Sequence, residues 1–459
     1  MIKDSNDKDQ SGDRRRAPSH LDGGRSRVRY RKVSSCSVRI LEECHSLCSS
    51  KASKVHIASA TVLGNDDRSK YIRVQITERG TLDIPLVWLR DHCRSARNYN
   101  WETNQRKSRA TNLFANCRLS DTPDAVVLDE REQILKLRWR DATQSVFTWN
   151  ELVRWTLKER CSQNNQERRG ITLWDSDSLK DVPSVGAKNF DFPVFARLFA
   201  RFGVASVNGV DSRNEKATKE LCSSIGPIQG TFFGDFWTFS NTSEEPGAER
   251  RHDDTAYSNE GIGPHTDGTY FDQTPGIQVF HCLKPATFGG DTILVDGFAA
   301  AEQFRKVHPR EFEILRTVPL EHHYIEKTAD AESEKIKIYC RSTSNTVIKL
   351  DKTGALCQIR FNPYDRAPMK FMGLNNSESC AQTIEYYDAY EKFSNMMHDP
   401  LYAVQISLRP GTVIFIDNHR VLHSRTSFEG SRKMCGCYMS RDNFCAYARP
   451  VLSKTFSEL

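Results

Sequence analysis

The sequence predicts a mostly β protein with flanking helices, in which a double-stranded β-helix, or jelly-roll, follows a small β-rich N-terminal domain. Two observations predict this fold class. From Ile277 onward, apolar runs of strand length recur at regular intervals, among them GIQVFHCL, GDTILVDG and GTVIFIDN. Many short strands around a few helices are typical of a double-sheet jelly-roll. Between Val55 and Glu159, short apolar runs alternate with turns, as in a small β domain.

Three segments are expected along the 459-residue chain. Residues 1–53 are charged, rich in serine and arginine and poor in apolar clusters, which predicts disorder. Residues 54–165 contain YIRVQI, IPLVWLR, AVVLD, ILKLRW and SVFTW, which we interpret as strands of the N-terminal domain. Residues 185–452 contain the strands of the jelly-roll domain.

Four helices are expected among the jelly-roll strands. FDFPVFARLFARFGVASVNGV predicts a helix that leads into a strand, and RNEKATKELCSSIG predicts a second helix. Two more are expected over roughly 299–316 and 378–397. In the last helix, a single stripe typical of an amphipathic helix contains Cys380, Ile384, Tyr387 and Phe393.

The composition argues against two classes of partner. The net charge is only +6, and much of the basic excess lies in runs near the start of the chain, so we expect no nucleic-acid partner. No stretch approaches the roughly 18 apolar residues of a membrane helix. The start also lacks an apolar secretory segment, so we expect no membrane partner.

The cysteine content bears on the compartment. Fourteen cysteines without a secretory signal are typical of free thiols in a reducing environment, which favours a cytoplasmic protein. The arginine-rich stretch 14–31 would fit a mitochondrial presequence. However, four aspartates precede it, and such presequences are poor in acids. The mitochondrial matrix therefore stays the alternative.

The stretch GPHTDGTYF contains a histidine and an aspartate two residues apart, His265 and Asp267. On a strand these side chains face the same way. A ferrous oxygenase binds iron through two histidines and one carboxylate, so a distant histidine is also needed. His423, at the end of a strand in GTVIFIDNHRVLHSR, is the candidate. His419 is the alternative, although the turn DNHR favours a surface position for it. An isolated HxD pair more often forms only loop hydrogen bonds.

A second set of residues would bind 2-oxoglutarate, which occupies two of the open iron positions in such oxygenases. Its far carboxylate needs a fixed cation, and arginine offers a bidentate pair. Arg432 lies nine residues after His423, so a hairpin would return it beside the metal strand. Thr292 in GGDTILVDGF could donate its hydroxyl to the same carboxylate. Singly, Arg432 is better explained as a surface arginine and Thr292 as an ordinary strand threonine.

Taken together, these motifs resemble a known family. HTDGTYF, PGIQVFHCLK, GGDTILVDGF, FIDNHRVLHSR and RKMCGCY are similar to those of the γ-butyrobetaine/trimethyllysine dioxygenases, a taurine-dioxygenase-like branch of the 2-oxoglutarate oxygenases. VWLRDHCRSA resembles the signature of their N-terminal domain. QIRFNPYDRAP most resembles the trimethyllysine-hydroxylating members. The resemblance covers about 76–452.

The resemblance implies specific roles and a reaction. Iron would be held by His265, Asp267 and His423, and 2-oxoglutarate would contact Thr292 and Arg432. The implied reaction is hydroxylation of N6,N6,N6-trimethyl-L-lysine at C3, coupled to conversion of 2-oxoglutarate and O2 to succinate and CO2. This would be the first step of carnitine biosynthesis, with L-ascorbate keeping Fe(2+) reduced, in a homodimer.

A quaternary ammonium has no proton to donate, so aromatic faces rather than hydrogen bonds must select it. Trp237, Tyr257 and Tyr438 match cage positions of the family. Tyr438 lies six residues after Arg432, so both face the same way on one strand. A fourth position, usually tyrosine in the butyrobetaine enzyme, falls on Phe233. Each aromatic is equally well explained, singly, by core packing.

The amino-acid end of the substrate needs polar partners. By the resemblance, Asn362 is the first candidate, followed by Asp365 and Arg366 in FNPYDRAP. An aspartate facing the α-ammonium would explain a preference for trimethyllysine over butyrobetaine, which has no α-amino group.

Two positions depart from the family pattern. The butyrobetaine enzyme binds a structural zinc through clustered cysteines, but here the cluster reads CRSARNYN and only Cys93 remains, so we expect no zinc. Cys117 and His92 could contribute only if they converge with it. Gly268 follows the HxD pair where the family has threonine or tyrosine, which could loosen substrate placement.

Three alternatives stay open. The first is an enzyme of the same class acting on γ-butyrobetaine. The second is a catalytically silent jelly-roll that binds a partner, against which the complete ligand set argues. The third is a nucleic-acid-binding protein that uses the arginine-rich segment 1–53.

Overall fold

The computed structural model describes residues 56–76, 80–107, 110–156, 170–241, 258–327, 335–370 and 377–452. The chain divides into two compact units, Met1–Lys158 and Glu159–Leu459. The predicted disorder of residues 1–53 lies outside the described residues, and the predicted domain limits stay predictions. In the described part of the chain, no helix has the length and apolar character needed to cross a membrane.

The first unit contains two three-stranded antiparallel sheets and a short strand pair. Its strands are β1 Ile57–Leu63, β2 Tyr71–Ile76, β3 Gly80–Pro85, β4 Tyr99–Asn100, β5 Gln105–Arg106, β6 Val126–Asp129, β7 Ile134–Arg138 and β8 Gln144–Thr148. The sheets have the orders β1-β2-β3 and β6-β7-β8. Strict alternation buries one face of β2, where Ile72 and Val74 enter the core.

One predicted strand of the first unit is wrong. The run IPLVWLR ends β3 at Pro85 and then forms helix α1 Leu86–Asp91; a second helix, α2, covers Trp149–Thr156. A proline at a strand end cannot continue the ladder, and the following residues bury Leu86 and Leu89 on one helical face. Alternation over so short an apolar run does not separate helix from strand.

The second unit contains seventeen strands in its described residues: β9 Ser184–Gly186, β10 Val204–Asn208, β11 Ile228–Gln229, β12 Trp237–Ser240, β13 Ile262–His265, β14 Ile277–Lys284, β15 Phe288–Gly289, β16 Thr292–Asp296, β17 His322–Lys327, β18 Ile336–Ser342, β19 Ile348–Leu350, β20 Leu356–Ile359, β21 Ala403–Ile406, β22 Thr412–Asp417, β23 Val421–Arg425, β24 Phe428–Glu429 and β25 Lys433–Met439. Its described helices are α3 Phe192–Phe202, α4 Lys216–Ile225, α5 Gly297–Val307, α6 Pro309–Thr317, α7 Ser377–Met397 and α8 Arg441–Ala448.

Two sheets form the jelly-roll. The larger has the order β11-β25-β14-β22-β10-β9, with β12 also paired to β25, and the smaller has the order β13-β23-β16-β21. Successive side chains of β22 face opposite sides of the sheet, and both sides are buried. Ile414 and Ile416 pack in a core with Leu294 of the smaller sheet, whereas Val413 and Phe415 pack with the helices α3, α4 and α8. The predicted fold class is therefore confirmed.

The helix predicted over 299–316 is two helices. Asp296 caps α5 by accepting a hydrogen bond from the Phe298 N–H, and α5 ends at Val307. Pro309 then occupies the first turn of α6. Proline disfavours helical geometry in the residue before it, which explains the break at His308.

The predicted stripe of α7 is wrong in three of its four positions. Phe393 is buried, but Cys380, Ile384 and Tyr387 are exposed. The buried face instead contains Tyr386, Ala389, Tyr390, Phe393 and Met397. Apolar residues lie on both sides of this helix, so periodicity alone does not identify the side that packs.

Candidate metal centre and its surroundings

His265, Asp267 and His423 lie together in the second unit. Among the described residues they are the one group of three or more potential ligands whose donor atoms all lie within 4.8 Å of one another. His265 ends β13 and pairs with His423 on β23, so the two imidazoles are cross-strand neighbours. Asp267 Oδ1 lies 3.2 Å from His265 Nε2 and 3.4 Å from His423 Nε2.

These separations fit one metal ion. Bonds of about 2.1 Å at right angles place donor atoms about 3 Å apart. His265 Nδ1 lies 2.8 Å from the Gly263 carbonyl oxygen, which turns Nε2 towards Asp267. The His423 ring lies edge-on to Phe280, with the ring centroids 5.6 Å apart.

The charges of the three groups are coupled. Burial raises the pKa of Asp267, but the neighbouring His423 and His265 outweigh burial and hold that pKa below its ordinary value. Burial also opposes the charged form of His265, yet the bond to Asp267, and the more distant charge of Asp365, raise the pKa of that imidazole. Asp267 is therefore a carboxylate at neutral pH.

Asn418, which sequence reasoning missed, joins the HxD turn to the hairpin that carries His423. Its Oδ1 accepts a hydrogen bond from the Asp267 N–H at 2.7 Å, and its Nδ2 donates to the Asp267 and Pro275 carbonyl oxygens at 3.0 and 2.8 Å. The side chain is buried. The signal for it was an asparagine in DNHR, between the end of β22 and the start of β23.

The turn after Asp267 explains Gly268. Gly268 has φ +64°, and an added Cβ would lie 2.7 Å from Pro275 Cδ and 2.8 Å from Phe271 Cδ2. The looser substrate placement expected from this glycine stays a prediction. Glycine is required by the left-handed backbone and by packing.

Arg360 stabilises the same turn through hydrogen bonds to its backbone carbonyl oxygens. It is buried, and its Nη2 donates to the carbonyl oxygens of Thr269 and Phe271 at 2.6 and 2.9 Å. Ser342 Oγ donates to the Thr269 carbonyl oxygen at 2.7 Å. Burial lowers the pKa of Arg360 to about 10, so it stays charged at neutral pH. The sequence carried no local signal for this contact, since 91 residues separate Arg360 from Thr269.

The predicted 2-oxoglutarate residues lie on neighbouring segments. Thr292 is buried at the start of β16, two residues from Leu294, which pairs with His423. Arg432 directly precedes β25, and a Cβ added to Gly290 would lie 3.5 Å from Arg432 Cδ. Both predicted residues are therefore buried, and Arg432 is not the surface arginine of the simpler reading.

Among the residues that the structure describes, the Arg432 guanidinium has no ionic partner. Within the described ranges, no carboxylate lies within salt-bridge distance of it, and its side chain packs over the Phe428 ring at 5.6 Å. Burial lowers the pKa of Arg432, yet a guanidinium keeps its charge at neutral pH. A buried cation that meets no described carboxylate is suited to binding an anion, because burying a charge without a partner is costly.

The predicted cage residues fall into two groups. The Trp237 and Tyr438 rings are 4.6 Å apart between centroids at an interplanar angle of 57°, and the Tyr438 hydroxyl donates to Asp267 Oδ2 at 2.9 Å. Phe233 belongs to a second cluster with Phe232, Tyr270, Phe271 and Tyr324. Tyr257 lies outside the described residues.

The predicted polar residues lie in one turn. Asn362 is engaged within it: Nδ2 donates to Asp365 Oδ2 at 2.7 Å and Oδ1 accepts the Tyr364 N–H at 2.9 Å. Arg366 is exposed and lies over the Tyr390 ring. Tyr364, which sequence reasoning missed, approaches the metal group. Its hydroxyl accepts the Gly263 N–H at 2.7 Å, and its ring lies 6.1 Å from that of His265.

The surface position expected for His419 is wrong. Its side chain is half-buried, and its Nε2 lies 3.1 Å from Thr274 Oγ1. Burial lowers the pKa of His419 to about 4. The turn after β22 bends inward over the HxD segment rather than into solvent, because Asn418 bonds across to that segment.

The surroundings of Cys93 in the first unit do not fit a zinc ion. The buried thiol lies 3.4 Å from Ser95 Oγ and 3.3 Å from Asn98 Nδ2, where zinc would need thiolates or imidazoles. His92 Nδ1 is taken by the Trp88 carbonyl oxygen at 2.8 Å, and Cys117 Sγ by that of Phe114 at 3.1 Å. That no zinc is bound stays a prediction.

Two imidazoles and one carboxylate on one side of a site, carried by jelly-roll strands, define the class of mononuclear non-haem iron oxygenases. The chain belongs to the family described as "Taurine catabolism dioxygenase TauD, TfdA family", whose model matches residues 172–438. A second model, "Gamma-butyrobetaine hydroxylase-like, N-terminal", matches residues 63–153. The chain is accordingly an Fe(II)- and 2-oxoglutarate-dependent dioxygenase, as predicted.

Several known proteins are similar over most of the chain. "Trimethyllysine dioxygenase, mitochondrial" of Gallus gallus is 36% identical, covering 79% of this chain and 82% of that protein. The Homo sapiens protein of the same name is 36% identical, covering 79% and 81%. "Trimethyllysine dioxygenase" of Meyerozyma guilliermondii is 32% identical, covering 78% and 88%. A solved taurine dioxygenase from Burkholderia xenovorans aligns with 12% identity and a TM-score of 0.40, covering 58% of this chain and 92% of that one.

Proposed function

We propose that this chain hydroxylates N6,N6,N6-trimethyl-L-lysine at C3, with 2-oxoglutarate and O2 as co-substrates and succinate and CO2 as co-products. The observation that carries this proposal is the set of relatives named trimethyllysine dioxygenase, from bird, mammal and yeast, at 32–36% identity over almost four fifths of the chain. The reaction would be the first step of carnitine biosynthesis.

The metal roles fall on the described cluster. His265 and His423 supply imidazole nitrogens and Asp267 supplies Oδ1, which are the ligand types that ferrous oxygenases use. Bound iron and 2-oxoglutarate together supply the oxidising chemistry, in which 2-oxoglutarate loses CO2 and one oxygen atom of O2 enters the substrate. The chain's own task is to hold the ligands, the co-substrate and the target C–H in register.

Arg432 binds the far carboxylate of 2-oxoglutarate in this proposal. Its buried guanidinium meets no described carboxylate, so an incoming anion would gain a desolvated ion pair without displacing any described residue. Thr292 is buried on β16, two residues after Gly290, where an added Cβ would lie 3.5 Å from Arg432 Cδ. It would donate its hydroxyl to the same carboxylate.

The trimethylammonium end would contact aromatic faces. Trp237 and Tyr438 form an inclined pair whose second member touches a metal ligand, which supports a site for the cation at the iron. Each cation–π contact is worth about 0.5–2 kcal/mol. Phe233, which belongs to the second aromatic cluster, and Tyr257 would complete the cage in this proposal.

Asp365 would bind the α-ammonium of the substrate. The Asp365 charge lies within electrostatic reach of His265, where it helps to raise the pKa of the imidazole. Asn362 holds that carboxylate by donating to Oδ2, which makes Asn362 a support for Asp365 rather than the first contact. Replacing Asp365 by Asn should reduce the preference for trimethyllysine over γ-butyrobetaine about tenfold, and an unchanged preference in competition assays would remove this role.

Product analysis tests the whole proposal. Purified protein is loaded anaerobically with Fe(II), supplied with 2-oxoglutarate, O2 and trimethyllysine, and the product is analysed by mass spectrometry and NMR. A product heavier by one oxygen atom at C3 supports the proposal. Faster turnover of γ-butyrobetaine would instead support the related enzyme. If neither substrate causes succinate to be released, the result would favour a catalytically silent binding protein.

Three further features are proposed from the relatives and the resemblance. The vertebrate relatives carry "mitochondrial" in their names, which favours the mitochondrial matrix over the cytoplasm expected from the sequence. Cell fractionation of the full chain distinguishes the two compartments. L-Ascorbate would keep iron reduced, and sustained turnover should depend on it. A homodimer is expected, which light scattering in solution would detect as twice the 52.5 kDa chain mass.

A further inference from the structure

The two oxygens of Asp267 have different neighbours. Oδ1 faces both imidazoles, at 3.2 Å from His265 Nε2 and 3.4 Å from His423 Nε2. Oδ2 accepts a hydrogen bond from the Tyr438 hydroxyl at 2.9 Å. One oxygen is thus directed at the metal position, and the other is already occupied by a phenol.

We propose that the Tyr438 hydroxyl is a positioning group that keeps Asp267 a one-oxygen iron ligand. A carboxylate can bind a metal through one oxygen or through two. Binding through two would fill one of the three positions that a two-histidine, one-carboxylate site leaves open for co-substrate and O2. The hydrogen bond to Oδ2 opposes this second mode, because a charged acceptor forms a strong bond with a hydroxyl.

The fold holds both ends of this bond. Tyr438 lies on β25 between Cys437 and Met439, whose side chains enter the core with α3, α4 and α8, and its ring contacts Trp237. At the other end, Asn418 binds the Asp267 backbone on both its N–H and its carbonyl oxygen. Neither partner can turn away freely, so the bond fixes the rotation of the carboxylate.

The positioning role is separate from the cage role expected from the sequence. The hydroxyl at the ring edge meets Asp267, whereas a quaternary ammonium would contact the ring face. Tyr438→Phe keeps the ring and removes the hydroxyl, so it isolates the inferred role. Trp237→Phe is the converse variant, since it changes the aromatic surface and leaves the hydroxyl in place.

The test is an anaerobic titration of Fe(II) into wild-type and Tyr438→Phe protein, with and without 2-oxoglutarate. Calorimetry measures the Fe(II) affinity, and the metal-to-ligand charge-transfer absorption monitors the environment of the bound iron. The inference expects Fe(II) affinity to fall about 10- to 100-fold in Tyr438→Phe. The charge-transfer band should also shift, and more succinate should form per hydroxylated product. The KM for trimethyllysine should change by less than about threefold, because the ring remains.

Tyr390→Phe is the matched control. Tyr390 lies on α7, and its buried hydroxyl has no hydrogen-bond partner among the described residues, so its removal should leave Fe(II) affinity unchanged. Trp237→Phe should raise the KM for the quaternary ammonium and leave Fe(II) affinity unchanged. Wild-type Fe(II) affinity in Tyr438→Phe overturns the inference. Failure of the metal-free Tyr438→Phe chain to fold also overturns it, because the hydroxyl would then serve the fold.

The inference rests on the iron site of the proposed function, and the two can fail separately. If wild-type protein binds no Fe(II), or Asp267→Ala binds it equally well, the iron site itself is wrong. If wild-type protein binds Fe(II) and turns over a substrate other than trimethyllysine, only the substrate proposal fails, and the comparison with Tyr438→Phe remains valid.

Discussion

Two buried arginines of the second unit, Arg420 and Arg432, differ in what meets their charge. Arg420 is 1% exposed, and its Nε and Nη2 donate to the two oxygens of Asp296 at 3.0 and 2.7 Å. Its remaining donors reach the carbonyl oxygens of Arg201 and Thr172 at 3.0 and 2.6 Å. Arg432 is 8% exposed and has no carboxylate partner among the described residues.

The difference separates a structural charge from one that is ready to bind. Asp296 also accepts the backbone N–H groups of Trp174 and Phe298, so the Arg420–Asp296 pair joins the start of α5 to the β22–β23 turn and to the segment before α3. A fully satisfied pair of this kind helps to specify one arrangement of the chain. Arg432 meets no carboxylate among the described residues, and a buried cation in that state costs stability unless an anion binds.

The largest expected effect comes from breaking the structural pair. Arg420→Met should lower the free energy of unfolding by about 3–5 kcal/mol, because Asp296 is left buried with an uncompensated charge. Chemical denaturation monitored by circular dichroism measures the loss. The double variant Arg420→Met with Asp296→Asn should recover part of it, since the amide keeps an acceptor for the α5 cap. An equal loss in both variants would contradict the ion-pair explanation.

Removing the Arg432 charge should have the opposite effect, weakening ligand binding rather than the fold. Arg432→Gln should weaken 2-oxoglutarate binding by about 2–3 kcal/mol, which is roughly 30- to 150-fold, because the far carboxylate loses its cation. The free energy of unfolding without 2-oxoglutarate should stay the same or rise. Calorimetric binding and denaturation of the same sample measure both quantities. Unchanged 2-oxoglutarate affinity would show that Arg432 serves another purpose.

The smallest expected effect tests whether charge or shape matters at this position. Arg432→Lys keeps a cation but loses the planar fork that binds a carboxylate through two parallel bonds. The KM for 2-oxoglutarate should rise about tenfold, less than in Arg432→Gln, with unchanged stability. Steady-state succinate release measures it. A loss as large as that of Arg432→Gln would mean that geometry alone decides binding.

Local patterns predicted much of the fold because they act over a few residues. Apolar runs of strand length predicted β14 and β22, and the run FDFPVFARLFARF predicted α3. The failures have equally local causes. IPLVWLR is too short for its period to distinguish strand from helix, and the break at Pro309 was overlooked. On α7, apolar residues lie on both faces, so only the neighbouring core decides which face is buried.

For the candidate site, the sequence by itself determined the donor types and their order along the chain: an HxD pair, a later histidine, and an arginine nine residues after that histidine. Residue type and spacing carry that information. Only the tertiary structure decided which groups hold the ligands in place. Asn418 and Tyr438 reach Asp267 across 151 and 171 residues, and contacts over such distances leave no period or spacing in the sequence. They exist because paired strands from distant parts of the chain bring those side chains to one edge of the jelly-roll.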